Sequence, residues 1–120
     1  MQQHPIKFFE KHEIDPRPQQ KSVIDEIFVD WKKYKYFGLS LPTGVGKTFI
    51  ATAIGDACGK SYILTSTLQL QDQYMKSWGD LINLKGRGNY TCNVNTNFTV
   101  DAAPCAANSE LFKECRKMGI

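Results

Sequence analysis

Lys47 and Thr48 close the run Leu41-Pro42-Thr43-Gly44-Val45-Gly46-Lys47-Thr48, an order of residue types suited to holding a chain of phosphates. Glycines at 44 and 46 let the backbone curl until successive N–H groups point inward, forming an anion nest at a helix N-terminus. Pro42, Thr43 and Val45 complete the wrap. The Lys47 ammonium would reach the β- and γ-phosphates of ATP, and the Thr48 hydroxyl would ligate Mg2+. Such a motif has meaning only where a strand runs into it and a helix runs out. Tyr36 to Leu41 reads as that strand, and Thr48 to about Ala57 as that helix. A plain glycine-rich turn has no use for Gly-Lys-Thr opening a helix. One position departs from the strict pattern: Leu41 stands five residues before Gly46, where a glycine is expected.

The elements around the loop follow from spacing. Residues 1–16 read as a lead-in whose Ile6, Phe8 and Phe9 dock on something larger. Pro18 opens a helix in which Val23, Ile24, Ile27, Phe28 and Trp31 recur at three- and four-residue intervals, one apolar stripe. Lys32 to Lys35 end it. The helix after the loop carries Phe49, Ile50, Ala53, Ile54 and Ala57, with Gly59 as its stop. Tyr62-Ile63-Leu64-Thr65 is short, continuous and apolar, as a buried parallel strand should be. Strand, crossover helix and strand make a right-handed βαβ unit. A further helix is predicted from Leu68 to Leu84, with Leu70, Tyr74, Trp78 and Leu81 on one face. Beyond it the sequence turns polar and irregular, and only Glu110 to Met118 reads as helix. The fold class is α/β, a P-loop βαβ unit followed by a loop-rich segment.

The chain has 120 residues with 42% hydrophobic and 22% charged, within the globular range, which excludes disorder throughout. Fifteen basic against 12 acidic residues leave +3, a surplus that permits a nucleic-acid partner without arguing for one. No apolar run has the length of a membrane span, and Met1 to Pro5 does not begin a secretory signal. A cytoplasmic, reducing setting is the expectation. Two strands cannot make a stable sheet, and no Asp-Glu pair follows a third strand to hold Mg2+ and orient water; Asp25-Glu26 lies inside the first long helix. The sequence is therefore expected to be the N-terminal part of a longer protein, ending mid-helix at Gly119-Ile120.

In a reducing compartment four cysteines point to metal or cluster ligation, or to burial, rather than to disulfides. Cys58, at the end of the phosphate-loop helix, reads as buried. Cys92, Cys105 and Cys115 lie in the irregular segment, where a metal centre can supply cross-links that a small core cannot. Their spacing matches no zinc knuckle, and no histidine follows His12. A 4Fe–4S cluster needs one thiol more than these three. Spacing alone leaves both readings open, a cluster completed elsewhere or ordinary buried thiols.

Four segments together resemble the iron–sulfur superfamily 2 DNA helicases of the XPD/DinG type. Arg17-Pro18-Gln19-Gln20 resembles the Arg-x-x-Gln adenine motif that precedes the phosphate loop in that family. Leu41 to Thr48 looks like its motif I, where an aliphatic residue before Pro-Thr-Gly is usual. Leu64 to Gln73 is similar to motif Ia. Lys85-Gly86-Arg87-Gly88-Asn89-Tyr90-Thr91-Cys92 resembles the start of the family's cluster domain. The resemblance spans roughly Arg17 to Cys115.

It implies a partial RecA-like motor domain 1 over residues 1–84 and the beginning of an iron–sulfur domain over residues 85–120. By position, Gln20 would bond the adenine edge with Arg17 beside it, and Cys92, Cys105 and Cys115 would ligate the cluster. Thr65 and Thr67 would touch the phosphate backbone of single-stranded DNA. Lys85, Arg87 and Tyr90 mix charge with a ring, as single-strand binders do; without the motif they would read as a solvated loop. The implied activity is ATP-driven 5′→3′ translocation and unwinding of forked duplex by a monomer. Repair or replication proteins would be partners, in the cytoplasm, nucleoid or, for a virus, the host cytoplasm. The family's Asp-Glu-x-His motif, arginine finger and second motor domain have no counterpart in these residues. A short nucleotide-binding accessory module without turnover is the alternative. A zinc-stabilised P-loop kinase fares worse, because it has no role for the Leu-Gln-x-Gln or Asn-Tyr-x-Cys segments.

Overall fold

The computed structural model describes residues 1–78 and 80–117, which divide into two compact units at Ser66/Thr67. In the first, α1 (Ile6–Lys11), α2 (Pro18–Asp30) and α3 (Lys47–Cys58) pack so that α1 and α2 both lie on α3. Proline at the first position of α2 has a fixed φ already suited to a helix and no N–H to waste. Gly59, at φ +80°, closes α3 in a conformation that a side chain would resist.

The core of this unit is Phe8 and Phe9 from α1, Ile24 and Ile27 from α2, and Ile50, Ala53 and Ala57 from α3, with Val45 from the loop. Phe9 is fully buried, edge-on to Phe8 at 5.7 Å and stacked on Phe49 at 6.4 Å. Burying one such side chain contributes about 1.5–3 kcal/mol. The lead-in thus docks within its own unit: the Gln2 amide donates to Ala57 O at 2.8 Å, and His4 Nε2 lies 3.4 Å from Asp25. The short helix α1 was not anticipated; Pro5 ahead of Ile6-Lys7-Phe8-Phe9 is the signal that could have found it.

Tyr36–Leu41 and Tyr62–Thr65, the expected strands, carry no ladder among the described residues, and Tyr62 and Leu64 are 93% and 92% exposed. Trp31 stacks on Phe37 at 5.7 Å, which ties the segment before the loop to the end of α2.

The second unit begins with α4 (Leu68–Ser77), capped by Thr67, whose Oγ1 accepts from the Leu70 amide. The helix predicted to Leu84 stops at Ser77. Trp78 leaves the helical conformation at φ −139°, ψ 94° and is buried instead. Residue 79 lies outside the described residues. A one-turn 3-10 helix at Arg87–Asn89 follows, then a loop closed by the antiparallel bridge Thr91–Thr99. The short α5 (Pro104–Ala107) packs against α6 (Ser109–Lys117), whose first turn is capped by Asn108 Oδ1 accepting from the amides of Glu110 and Leu111. The predicted last helix agrees with α6 as far as Lys117; Met118, Gly119 and Ile120 lie outside the described residues. No described helix is long and apolar enough to cross a membrane.

Candidate nucleotide site and cysteine segment

Between Leu41 and α3 the chain makes a loop in which Gly44 and Gly46 both take positive φ, +83° and +87°. Gly46 is the N-cap of α3, and its carbonyl accepts from the amides of Phe49 and Ile50. Apart from the turn over Thr43 and Gly44, no hydrogen bond among the described residues is donated by the amides from Thr43 to Thr48. Those donors stand at a helix N-terminus, where the dipole favours negative charge. Lys47 is exposed, and no described carboxylate pairs with it. Thr48 is half-buried, and its carbonyl is held by the Thr52 hydroxyl at 2.8 Å. Pro42 and Thr43 are exposed on the rim, whereas Val45 is buried and anchors the loop in the core.

Arg17 and Gln20 reach this loop from the start of α2. The guanidinium of Arg17 donates to Gly44 O. The Gln20 amide donates to Val45 O at 2.9 Å and, at greater length, to Gly46 O at 3.4 Å. Its carbonyl oxygen accepts from the Arg17 backbone amide at 2.9 Å. All nucleotide-site residues read from the sequence therefore lie together. The role of Gln20 against the loop was not legible beforehand, since its partners are backbone carbonyls and leave no residue-type signature.

Thr65 is half-buried near the end of the first unit, whereas Thr67 belongs to the second and its hydroxyl already caps α4. Lys85 Nζ pairs with Asp72 of α4 at 2.9 Å, while the Lys85 backbone amide donates to Tyr90 Oη at 2.9 Å. The ring of Tyr90 remains substantially exposed. Arg87 is exposed and lies close enough to Asp101 to help hold its carboxyl below the ordinary range. The larger cause of that shift is the Thr99 hydroxyl, which donates to Asp101 at 2.6 Å. Asp72 was missed because the pairing joins residues distant in sequence.

Cys92, Cys105 and Cys115 are all free and half-buried, and so is Cys58. The Cys115 thiol is pushed above its ordinary value, first by desolvation, then by the neighbouring Cys105 and, after it, by Cys92 and Glu114. Cys105 and Cys115 are carried by α5 and α6, which pack together. The Asn95 backbone amide donates to Cys92 Sγ at 3.5 Å. Among the described residues no three Cys, His, Asp or Glu side chains converge on the position of a single ion.

A family model for the Type III restriction enzyme, res subunit, matches residues 13–104, more than half of the chain. The match takes in Arg17, Gln20 and the whole phosphate loop, together with Cys92, and it does not reach the iron–sulfur subtype. No curated protein and no solved structure matches the chain. The chain belongs to the family of the Type III restriction enzyme res subunit, whose helicase-type ATPase domains use ATP and Mg2+ and bind nucleic acid.

Proposed function

We propose that the chain supplies the nucleotide-binding first part of motor domain 1 in an ATP-dependent DNA helicase of the iron–sulfur type. Residues 1–84 would take a RecA-like α/β fold, with Tyr36–Leu41 and Tyr62–Thr65 as its first strands, and residues 85–120 would begin the cluster segment. The observation that carries the reading is the run of amides from Thr43 to Thr48 that, apart from the turn over Thr43 and Gly44, donate to nothing among the described residues. Donors left open at a helix N-terminus attract anions, and a polyphosphate chain would supply acceptors for them. Lys47 would neutralise the β/γ charge and Thr48 would hold Mg2+. Phosphoryl transfer to water depends on such positioning and charge neutralisation.

The cysteine segment supports the finer part of the reading. Cys92, Cys105 and Cys115 would each hold one iron of a 4Fe–4S cluster, with a fourth ligand from outside these residues; the cluster would cross-link a segment with little core of its own. Lys85, Arg87 and Tyr90 would meet single-stranded DNA by charge and ring stacking, and Thr65 and Thr67 by backbone contacts that position without reading sequence. Unwinding of forked duplex, 5′→3′ polarity, a monomeric state, a cytoplasmic or nucleoid location and repair or replication partners rest on the resemblance alone.

The test is DNA-stimulated ATP hydrolysis by the complete polypeptide, with Lys47→Ala as control and iron measured on the same sample. Hydrolysis that falls to background in Lys47→Ala, from protein carrying about four irons, is the expected result. Nucleotide binding without turnover would favour the accessory module instead. Hydrolysis undiminished in Lys47→Ala would overturn the assignment of the loop.

A further inference from the structure

We propose that the loop from Lys32 to Tyr36 is a contact for single-stranded nucleic acid, separate from the nucleotide site and independent of it. The chain leaves α2 after Asp30, whose carbonyl accepts from the amides of Lys33 and Tyr34 at 2.9 and 3.1 Å. Trp31 and Phe37 then stack at 5.7 Å with 6° between their planes, and Tyr34 meets Phe37 edge-on at 6.3 Å. These ring contacts clasp the two ends of the loop together. Lys32, Lys33, Tyr34, Lys35 and Tyr36 are all exposed, Tyr36 by 83%. Their charges lie beside their rings. Lys33 Nζ stands 5.0 Å from the centre of the Tyr34 ring, and Lys35 Nζ 5.7 Å from that of Tyr36.

Lysines after a helix end ordinarily need only the helix dipole and water to explain them. Lys33 fits that account, since its Nζ lies 3.8 Å from Asp30. Lys32 and Lys35 have no carboxylate partner among the described residues, and no acidic residue occurs between Trp31 and Gly55. Two exposed rings therefore stand in a locally positive field. Single-strand binders combine these features, ammonium groups along the phosphates and rings on which bases stack, without reading sequence. An anionic membrane is recruited by clusters of about four to eight basic residues, and this loop has three lysines. Position sets the site apart. The 13 residues of α2 span about 20 Å; its first turn holds the phosphate loop and its other end carries Lys32 to Tyr36. Lys85, Arg87 and Tyr90 belong to the other unit. Binding at the loop should therefore need no ATP.

The test is binding of oligothymidylate to the full chain without nucleotide, read by fluorescence anisotropy across a salt series. One variant carries Lys32→Gln, Lys33→Gln and Lys35→Gln together; a second carries Tyr36→Thr. All four side chains are exposed, so both variants should keep the circular dichroism of the unaltered chain. The lysine variant is expected to bind roughly tenfold more weakly at low salt, with the slope of log K against log salt shallower by about 2, the share of three phosphate contacts on a single strand. Tyr36→Thr is expected to weaken oligothymidylate severalfold and to leave heparin, a polyanion without bases, unchanged. Photo-cross-linking with 5-iodouracil DNA should place an adduct on Tyr34 or Tyr36. An unaltered chain that does not bind oligothymidylate, or a lysine variant with an unchanged salt slope, would overturn the proposal. So would adducts confined to residues 67–120, equal losses for heparin and oligothymidylate in Tyr36→Thr, or tighter binding to phosphatidylserine vesicles than to oligothymidylate.

Discussion

The side-chain amide of Gln20 donates to the carbonyl of Val45 at 2.9 Å, out of solvent, and so joins the first turn of α2 to the phosphate loop. Val45 is itself buried beside the α3 helix that the loop opens. Loop, α2 and α3 therefore share one small core, and changes to that core should reach the nucleotide.

Gly46→Ala combines two penalties. Its φ of +87° lies where a side chain is strained, and its new Cβ would collide with Gln20 Nε2. The expected cost is about 1–3 kcal/mol of stability, read as a lower midpoint in urea with the slope unchanged. Gly44→Ala is the comparison: it has the same backbone strain at φ +83° but meets nothing within 4 Å, so it should cost less.

Phe9→Ala tests the support beneath the site. Phe9 has no exposed surface and stacks on Phe49 in the first turn of α3. Truncation is expected to cost about 3–5 kcal/mol, and chemical denaturation followed by circular dichroism measures it. A loss below about 1 kcal/mol would mean that α1 does not brace α3.

Asp101 offers a pH test in the second unit. Its carboxyl is held below the ordinary range, chiefly by the Thr99 hydroxyl and further by backbone amides and Arg87. A depressed folded-state value stabilises above the unfolded value, and that contribution is lost as pH falls through the folded one. Thr99→Val should move the Asp101 titration, followed by carboxyl NMR, back toward the ordinary value. Arg87→Ala should move it less, because its charge is the smallest cause.

The cysteine segment makes a prediction about iron. Protein purified without oxygen should be brown, and Cys105→Ser should lose both colour and iron. Cys58→Ser should keep them, since Cys58 lies on α3 in the other unit. Colourless protein with all thiols reactive would count against the cluster.

Much of the first unit was legible because its signals are local. Pro18 and Gly59 mark helix ends through backbone geometry, and the stripe through Ile24 and Ile27 follows helical spacing. Phe28, in the same stripe, is partly exposed, because only part of the stripe faces α3. The end of α4 was misjudged because the periodicity of Tyr74, Trp78 and Leu81 outlasts the helix. Trp78 buries its ring by leaving the helical path. Pairing partners such as Asp72 for Lys85, and Val45 for Gln20, are tertiary facts that no local spacing encodes. The packing of α5, which carries Cys105, against α6, which carries Cys115, is likewise a tertiary fact.

The most direct measurement is the backbone amide NMR of residues 43–48 during titration with Mg2+ and ATP. The expected result is large shifts for the amides of Thr43 to Thr48 as each gains a phosphate acceptor, with Lys47→Ala weakening the response. Amides in that run that stay unmoved in a large excess of nucleotide, while the chain remains folded, would contradict a phosphate-binding role for the loop.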